Sequence, residues 1–270
     1  MGCGFSMSGK DAMNIKDAEN RAKKGRVDNA SLQIKAVEIE WDEIPPGSYL
    51  RSIEAIRNLE QLPLTRPVTF FVGENGSGKS TLLEAIAVAY GFNPEGGTLN
   101  YNFATHDSHS ELWKAVRLVR GERRMKSSGA GFFLRAESFY NVATAEENYG
   151  QLGGKQLHLH ERSHGESFLA LAQEKFRPGG LYLLDEPEAA LSPQRQMSFL
   201  IEVNNVARAG GQFIIATHSP IMLAIPGAEI LSFDGGEIRP VNFEDTGCYS
   251  ITEMFINHRE WMTGMLFGGD

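Results

Sequence analysis

Apolar and polar positions change their period several times along the chain, and each period predicts an element. In "LQIKAVEIEW" (32–41) apolar residues alternate with polar ones, the pattern of an antiparallel strand with one solvated face. "EIPPGSYL" then turns the chain. "VTFFV" (68–72) is apolar throughout and feeds a glycine-rich turn, after which an alanine-rich amphipathic stretch predicts a helix starting near Lys79. Three further runs, "LYLLD" (181–185), "QFIIATH" (212–218) and "EILSF" (229–233), are short and nearly continuous, as parallel strands buried on both faces are. "PEAALSPQRQMSFLIEVNNVARAGG" predicts a turn and a crossover helix stopped at Gly210-Gly211, and "FLALAQEKF" predicts another helix. In "LWKAVRLVRGERRMK" (112–126) a helix would carry Leu112, Val116 and Val119 on one side and Arg117, Arg120 and Arg124 on the other. "SITEMFINHREWMTGMLF" predicts an amphipathic helix exposing Trp261, Met262 and Phe267.

These elements assemble into one α/β domain. Its expected limits are 31–240, with a small helical lobe at about 92–170, a flexible polar leader at 1–30 and a helical tail at 241–270. The stretch from Lys79 to Ser163 has no heptads, so it holds no long coiled-coil arm. With 270 residues, 41% of them hydrophobic, the chain can bury a sizeable core. The net charge of −8 opposes bulk adhesion to nucleic acid or anionic lipid, so any such binding needs a local basic patch. The two cysteines, Cys3 and Cys248, form neither a disulfide framework nor a metal motif, which points to a reducing compartment. The most apolar long run, Phe213 to Ala228, is cut by His218, Pro220 and Pro226, so no membrane span is expected and a cytoplasmic location is. "MGCGFS" fits a myristoylation pattern at Gly2, and a chance match explains it as well.

The chemistry starts at Gly73-Glu74-Asn75-Gly76-Ser77-Gly78-Lys79-Ser80-Thr81, a complete G-x-x-x-x-G-K-[ST] pattern between a buried strand and a helix. Glycines let successive N–H groups curl inward, and the helix adds its unpaired N-terminal donors, making an anion cradle. Lys79 supplies a cation for outer phosphates, and the Ser80 hydroxyl is a hard oxygen suited to Mg²⁺. Asp185 and Glu186 end the "LYLLD" strand on the sheet edge where open α/β sheets hold ligands. There Asp185 can orient a Mg²⁺ shell and Glu186 can deprotonate water. Ser163-His164-Gly165-Glu166-Ser167 opens a helix and forms a second, separate anion cradle. Thr217-His218-Ser219-Pro220 places a histidine at the end of another strand.

Taken in order, these segments resemble an ABC-type ATPase of the P-loop NTPase class. Gly73 to Ser80 is similar to its Walker A motif, "LYLLDE" to Walker B, "SHGES" to the signature, "AALSP" (189–193) to the D-loop and "ATHSP" to the switch histidine. Within that class the chain resembles small stand-alone soluble ATPases of bacteria and, more loosely, the heads of DNA-repair and anti-phage proteins. The resemblance implies a mostly parallel central sheet flanked by helices, with an N-terminal antiparallel β element. It also implies Mg-dependent ATP hydrolysis with Glu186, His218 and Lys79 in the reaction. ATP would lie on Gly73 to Thr81 and meet Ser163, Gly165 and Glu166 of a second subunit in a head-to-tail homodimer, with Mg²⁺ near Ser80, Asp185 and, at the Q-loop, Glu137.

The sequence also departs from the transporter pattern. Arg162, His164 and Glu166 replace the leucine, a glycine and the glutamine of a transporter signature, and Ser192 stands where a transporter D-loop has aspartate. A soluble ATPase driving a nucleic acid or an effector protein is therefore expected, with the ATPase subunit of a membrane transporter as the alternative. Arg117, Arg120 and Arg124 are the candidate docking residues, against a plain solvated face. Tyr49 is a candidate for adenine stacking, with a core tyrosine as the other reading. The histidines of "HDSH" and "HLHERSH" have ligand-like spacing but come without cysteines or an appropriate carboxylate helix for a metal site.

Overall fold

The computed structural model describes residues 32–99, 110–121, 130–135, 139, 142–144, 146, 161 and 163–268. The leader, Glu137, Arg124, Arg162 and the histidines at 106, 109, 158 and 160 lie outside the described residues. Five strands run parallel in one sheet: β3 (Val68–Val72), β5 (Gly131–Arg135), β6 (Leu181–Asp185), β7 (Gln212–Ala216) and β8 (Glu229–Ser232). Their order is β5-β6-β7-β3-β8, with the short antiparallel β9 (Arg239–Pro240) on the outer edge. A second, antiparallel sheet has the order β2-β1-β4, built from β1 (Ile34–Ile39), β2 (Gln61–Pro63) and β4 (Val116–Arg120).

The continuous apolar runs are explained by the layers on either side of the parallel sheet. Leu181 and Leu183 of β6, with Phe71 and Ile214, face a core shared with the antiparallel sheet and helix α2 (Lys79–Tyr90). Tyr182 and Leu184, with Phe70, Phe213 and Ile215, face the opposite core under α3 (His164–Lys175) and α4 (Pro193–Arg208). Every residue of β3, β6 and β7 is buried, so none of these strands carries the alternation of a half-solvated one. One side chain joins the sheets. The buried Gln212 Oε1 accepts from the Gln33 and Ile34 N–H groups at 2.8 and 2.9 Å, and its Nε2 donates to the Ile34 carbonyl at 2.8 Å.

Three elements differ from the expectation. Residues 112–126 are not one amphipathic helix: a 3₁₀ turn over Glu111–Lys114 leads into β4, which pairs antiparallel with β1. "VRLVR" alternates at period two as well as fitting one helical face, and the open edge of β1 decides between them. Arg117 and Arg120 therefore stand on a strand. The stretch 92–170 holds two strands, β4 and β5, beside the helical positions at Phe139, Val142–Thr144 and Glu146 and the start of α3. The C-terminal segment is two helices, α5 (Gly247–Asn257) and α6 (Arg259–Phe267), parted at His258 by a non-helical backbone (φ −129°, ψ 38°). The turn after β1 holds 3₁₀ turns and a single α turn, α1 (Glu54–Arg57), before β2.

Replacing Gln212 by leucine would leave two N–H groups and one carbonyl buried without partners at the joint. Gln212→Leu is expected to destabilise the protein by about 2–4 kcal/mol in urea unfolding. A loss below ~1 kcal/mol would show that the sheets are held together by apolar packing alone.

Candidate functional site

The parallel strands gather the candidate residues on one edge. β3 leaves the sheet at Val72 into the glycine loop, β6 ends at Asp185, β7 leads into Thr217-His218, and β8 leads to Asp234. Gly73, Gly76 and Gly78 have φ values of 140°, 81° and 102°, a left-handed conformation that other residues adopt only with strain. At Gly78 a Cβ would also fall 2.7 Å from both Ile53 and Ile56, so the segment before β2 presses on the loop from outside.

Lys79 is 4% exposed and folds back into the loop, donating to the Gly73 carbonyl at 2.6 Å and the Glu74 carbonyl at 2.9 Å. Burial pushes its ammonium below the usual lysine range, and the nearby carboxylates of Glu186, Asp234, Asp185 and Glu74 oppose that shift. Because the folded pKa is depressed, the charged lysine costs stability at neutral pH, and that cost disappears as pH rises from the folded pKa toward the unfolded value. Ser80 Oγ donates to Asp185 Oδ1 at 2.8 Å. Arg135, at the end of β5, lies 3.7 Å from Asp185 Oδ2 through its Nε and also pairs with the buried Glu84 of α2.

Glu186 has φ 50° and ψ 49°, the one positive φ outside glycine among the described residues. Its N–H donates to the Ala216 carbonyl at 2.9 Å, which pins the strained backbone against β7. This turns the carboxylate toward His218, whose Nε2 is 3.7 Å from Glu186 Oε1. The His218 N–H donates to Glu188 Oε1 at 2.6 Å. His218 Nε2, Glu188 Oε2 and Ser77 Oγ are all buried from solvent without a hydrogen-bond partner. Such groups are costly unless a ligand or water satisfies them, and here they border an anion cradle. The glycine loop, the buried ammonium, these orphaned atoms and the Ser80–Asp185 oxygen pair fit a nucleoside triphosphate with Mg²⁺.

The second cradle lies on the surface. Ser163 caps α3 in a capping box with Glu166. The Ser163 N–H and hydroxyl donate to Glu166 Oε2 at 3.0 and 2.7 Å. These bonds from Ser163, with Arg195 as a lesser contributor, hold the Glu166 carboxyl below its usual range. Arg195, from the first turn of α4, donates to Ser163 Oγ and to Glu166 Oε1, both at 3.0 Å. A Cβ at Gly165 would come 2.8 Å from the Ala190 carbonyl and from Arg195 Nη1, so only glycine lets α3 start this close to the turn after β6. The hydrogen bonds of Ser163 and Glu166 stay among Ser163, Arg195 and Ser167, and none reaches Gly73 to Thr81.

Other expected residues are also placed. Tyr49 is 62% exposed, which removes the core-tyrosine reading. Arg117 pairs with Glu40 at 2.8 Å, and the Arg120 guanidinium sits 4.8 Å from the centre of the Tyr90 ring. His164 packs edge-on against Phe139. No group of three metal-ligating side chains occurs among the described residues, and no described helix is long and apolar enough to cross a membrane.

Sequence reading missed three residues. Asp234 Oδ1 accepts the Glu74 N–H at 2.9 Å and so ties the glycine loop to the end of β8. Gln196 accepts from Ser219 Oγ at 2.6 Å and donates to the Leu191 carbonyl at 3.1 Å, joining the His218 loop to the start of α4. Arg195 is the third. Its place three residues past the N-cap Ser192 gave no hint that it reaches across to another helix.

Comparison with known proteins gives matches to parts of the chain. Residues 48–163 match an AAA domain family, and residues 166–224 match a family described as "AAA domain, putative AbiEii toxin, Type IV TA system". The chain is 30% identical to the hemin import ATP-binding protein HmuV of Pseudomonas aeruginosa over 54% of its own length and 64% of that protein. It is 24% identical to the nisin transport ATP-binding protein NisT of Lactococcus lactis subsp. lactis, over 71% of its own length and 35% of that protein. The chain thus spans less than two thirds of either relative. Among solved structures, the SMC head domain from Thermotoga maritima matches with a TM-score of 0.44 and 18% identity, covering 78% of this chain and 100% of that one.

Asp234 provides a test of the loop anchor. Asp234→Ala should weaken ATP binding about tenfold in calorimetry, because Glu74 loses a charged acceptor, while Asp234→Asn keeps an acceptor and should stay within ~3-fold. Equal losses in the two variants would mean that charge rather than loop anchoring is what Asp234 supplies.

Proposed function

We propose that this ATPase of the AAA/ABC type binds Mg-ATP on Gly73 to Thr81 and hydrolyses it only in a head-to-tail dimer that encloses two ATP molecules. The reading rests above all on the separation of the two cradles. Ser163, at the exposed start of α3, makes its bonds within α3 and to Arg195, while the glycine loop stands at the sheet edge with Glu74, Asn75 and Gly76 open to solvent above the buried Lys79. A phosphate held by the loop of one subunit gains a second set of donors only from another copy.

Each residue has a task in that scheme. The loop N–H groups and the Lys79 ammonium bind the outer phosphates, which replace the two carbonyls that now accept from Lys79. Ser80 and Asp185 are the residues that would hold Mg²⁺, and the ion would neutralise charge on those phosphates. Glu186, held in its strained conformation, faces the reacting end of the phosphate chain and takes the proton of the attacking water. The unpaired Nε2 of His218 is placed to orient that water or the γ-phosphate. Glu137, outside the described residues, is the Q-loop candidate of this reading.

The work is delivered to a partner protein or a nucleic acid, reached through the exposed β4 with Arg117 and Arg120 and through Arg124 beyond it. The names of HmuV and NisT support a second reading, an ATP-binding subunit of a transporter. Ser192 and the altered signature residues weigh against that reading. DNA-stimulated turnover would decide for the first.

Glu186→Gln should bind ATP normally and lose at least ~100-fold in turnover, since an amide holds water but accepts no proton from it. Near-normal turnover would move the base to another group. In the Glu186→Gln background, sedimentation should show a dimer with Mg-ATP that Ser163→Arg abolishes, while ATP affinity of the Ser163→Arg monomer stays within ~3-fold. A protein saturated with ATP yet monomeric would overturn the two-subunit scheme.

A further inference from the structure

Among the described residues, helices α5 and α6 carry an exposed apolar surface. Neither helix has a buried residue, although together they carry some of the largest apolar side chains of the chain. Ile251, Met254 and Phe255 share one face of α5 at i, i+3, i+4 spacing, and on α6 Trp261 with Met265 and Met262 with Leu266 form i, i+4 pairs. Apart from the half-buried Met262, their exposures run from 41% at Phe255 to 68% at Met265, and Phe267 at the end of α6 reaches 82%. The other face of α5 mixes Tyr249 and Ile256 with Thr252, Glu253 and Asn257. With α4 and the turn after His218 it walls a groove of about 500 Å³, lined by Met197, Leu200, Pro220, Ile221, Tyr249 and Ile256.

We infer that a second copy of this chain covers this surface, with the α5–α6 pairs of two protomers packing about a two-fold axis into four helices without any nucleotide. Two short helices lack the apolar contacts to make a core alone, and pairing with their own duplicate supplies them. The size fits. At 150–250 Å² for a large aromatic and somewhat less for an aliphatic side chain, the exposed fractions sum to roughly 800 Å², one partner's share of a standard interface. The charge fits as well. Residues 247–267 contain one arginine and two glutamates, so two tails meet with little of the repulsion expected from a chain of net charge −8. A membrane surface fits less well, because helices that lie on anionic lipid carry rows of lysine and arginine on their polar face.

This contact differs from the ATP-dependent one, since it uses neither the glycine loop nor the start of α3. It borders the reacting edge all the same: Pro220 and Ile221, which wall the groove, directly follow His218 and Ser219.

The test is sedimentation of the full chain carrying Lys79→Ala, without nucleotide, so its outcome is independent of ATP binding. At ~50 µM a dimer is expected, and adding Phe255→Glu and Trp261→Glu should raise its dissociation constant at least ~100-fold. Both side chains are exposed, so circular dichroism should match that of the Lys79→Ala parent. A monomer at that concentration overturns the inference, as does a dimer that survives both charges. A monomer that instead floats with phosphatidylserine vesicles would overturn it too, and would assign the surface to lipid.

Discussion

The arrangement depends on the burial of β3, β6 and β7 on both faces. A strand covered on both sides cannot slip in register or leave the sheet without exposing a core, so these three are fixed beside one another and in one direction. Asp185 of β6 stands level with Ala216 of β7, and Ala216 stands level with Phe71 of β3. The residues that follow are therefore delivered to one edge at one height. The glycine loop, Glu186 and His218 owe their proximity to this register more than to any bond among themselves.

Lys79 shows what that edge costs. A cation buried there is opposed by desolvation, and four surrounding carboxylates offset the penalty without removing it. The site before ligand binding is thus a cluster of mutually dependent charges, with Arg135 shared between Asp185 and Glu84 on its far side. Incoming phosphates would bring negative charge to the Lys79 ammonium, which here donates to two backbone carbonyls.

Much of this was legible in the chain. The apolar runs located β3, β6, β7 and β8, and the glycine spacing located the loop, because a strand buried on both faces and a left-handed turn each restrict residue type. β4 was misread because "VRLVR" satisfies two periods, and the free edge of β1 that settles the matter is a distant contact. The division between α5 and α6 was missed because His258 is neither glycine nor proline, and its backbone break has no sequence marker. Asp234, Gln196 and Gln212 were invisible for one reason. Each acts through a hydrogen bond to a residue far off in sequence, and a lone polar residue in a turn or at a strand end looks the same whether or not it does so.

The first turn of α4 has a mechanical consequence. Arg195 and Gln196 are neighbours in sequence, yet one grips Ser163 and Glu166 at the protein surface while the other grips Ser219 beside the reacting edge. Successive side chains on a helix point about 100° apart, so this turn acts as a rocker with an arm at each site. A roll of α4 that draws Arg195 off the capped serine also shifts the loop carrying His218. A displacement at the outer surface would thereby be felt at the His218 loop, over a lever only two residues long.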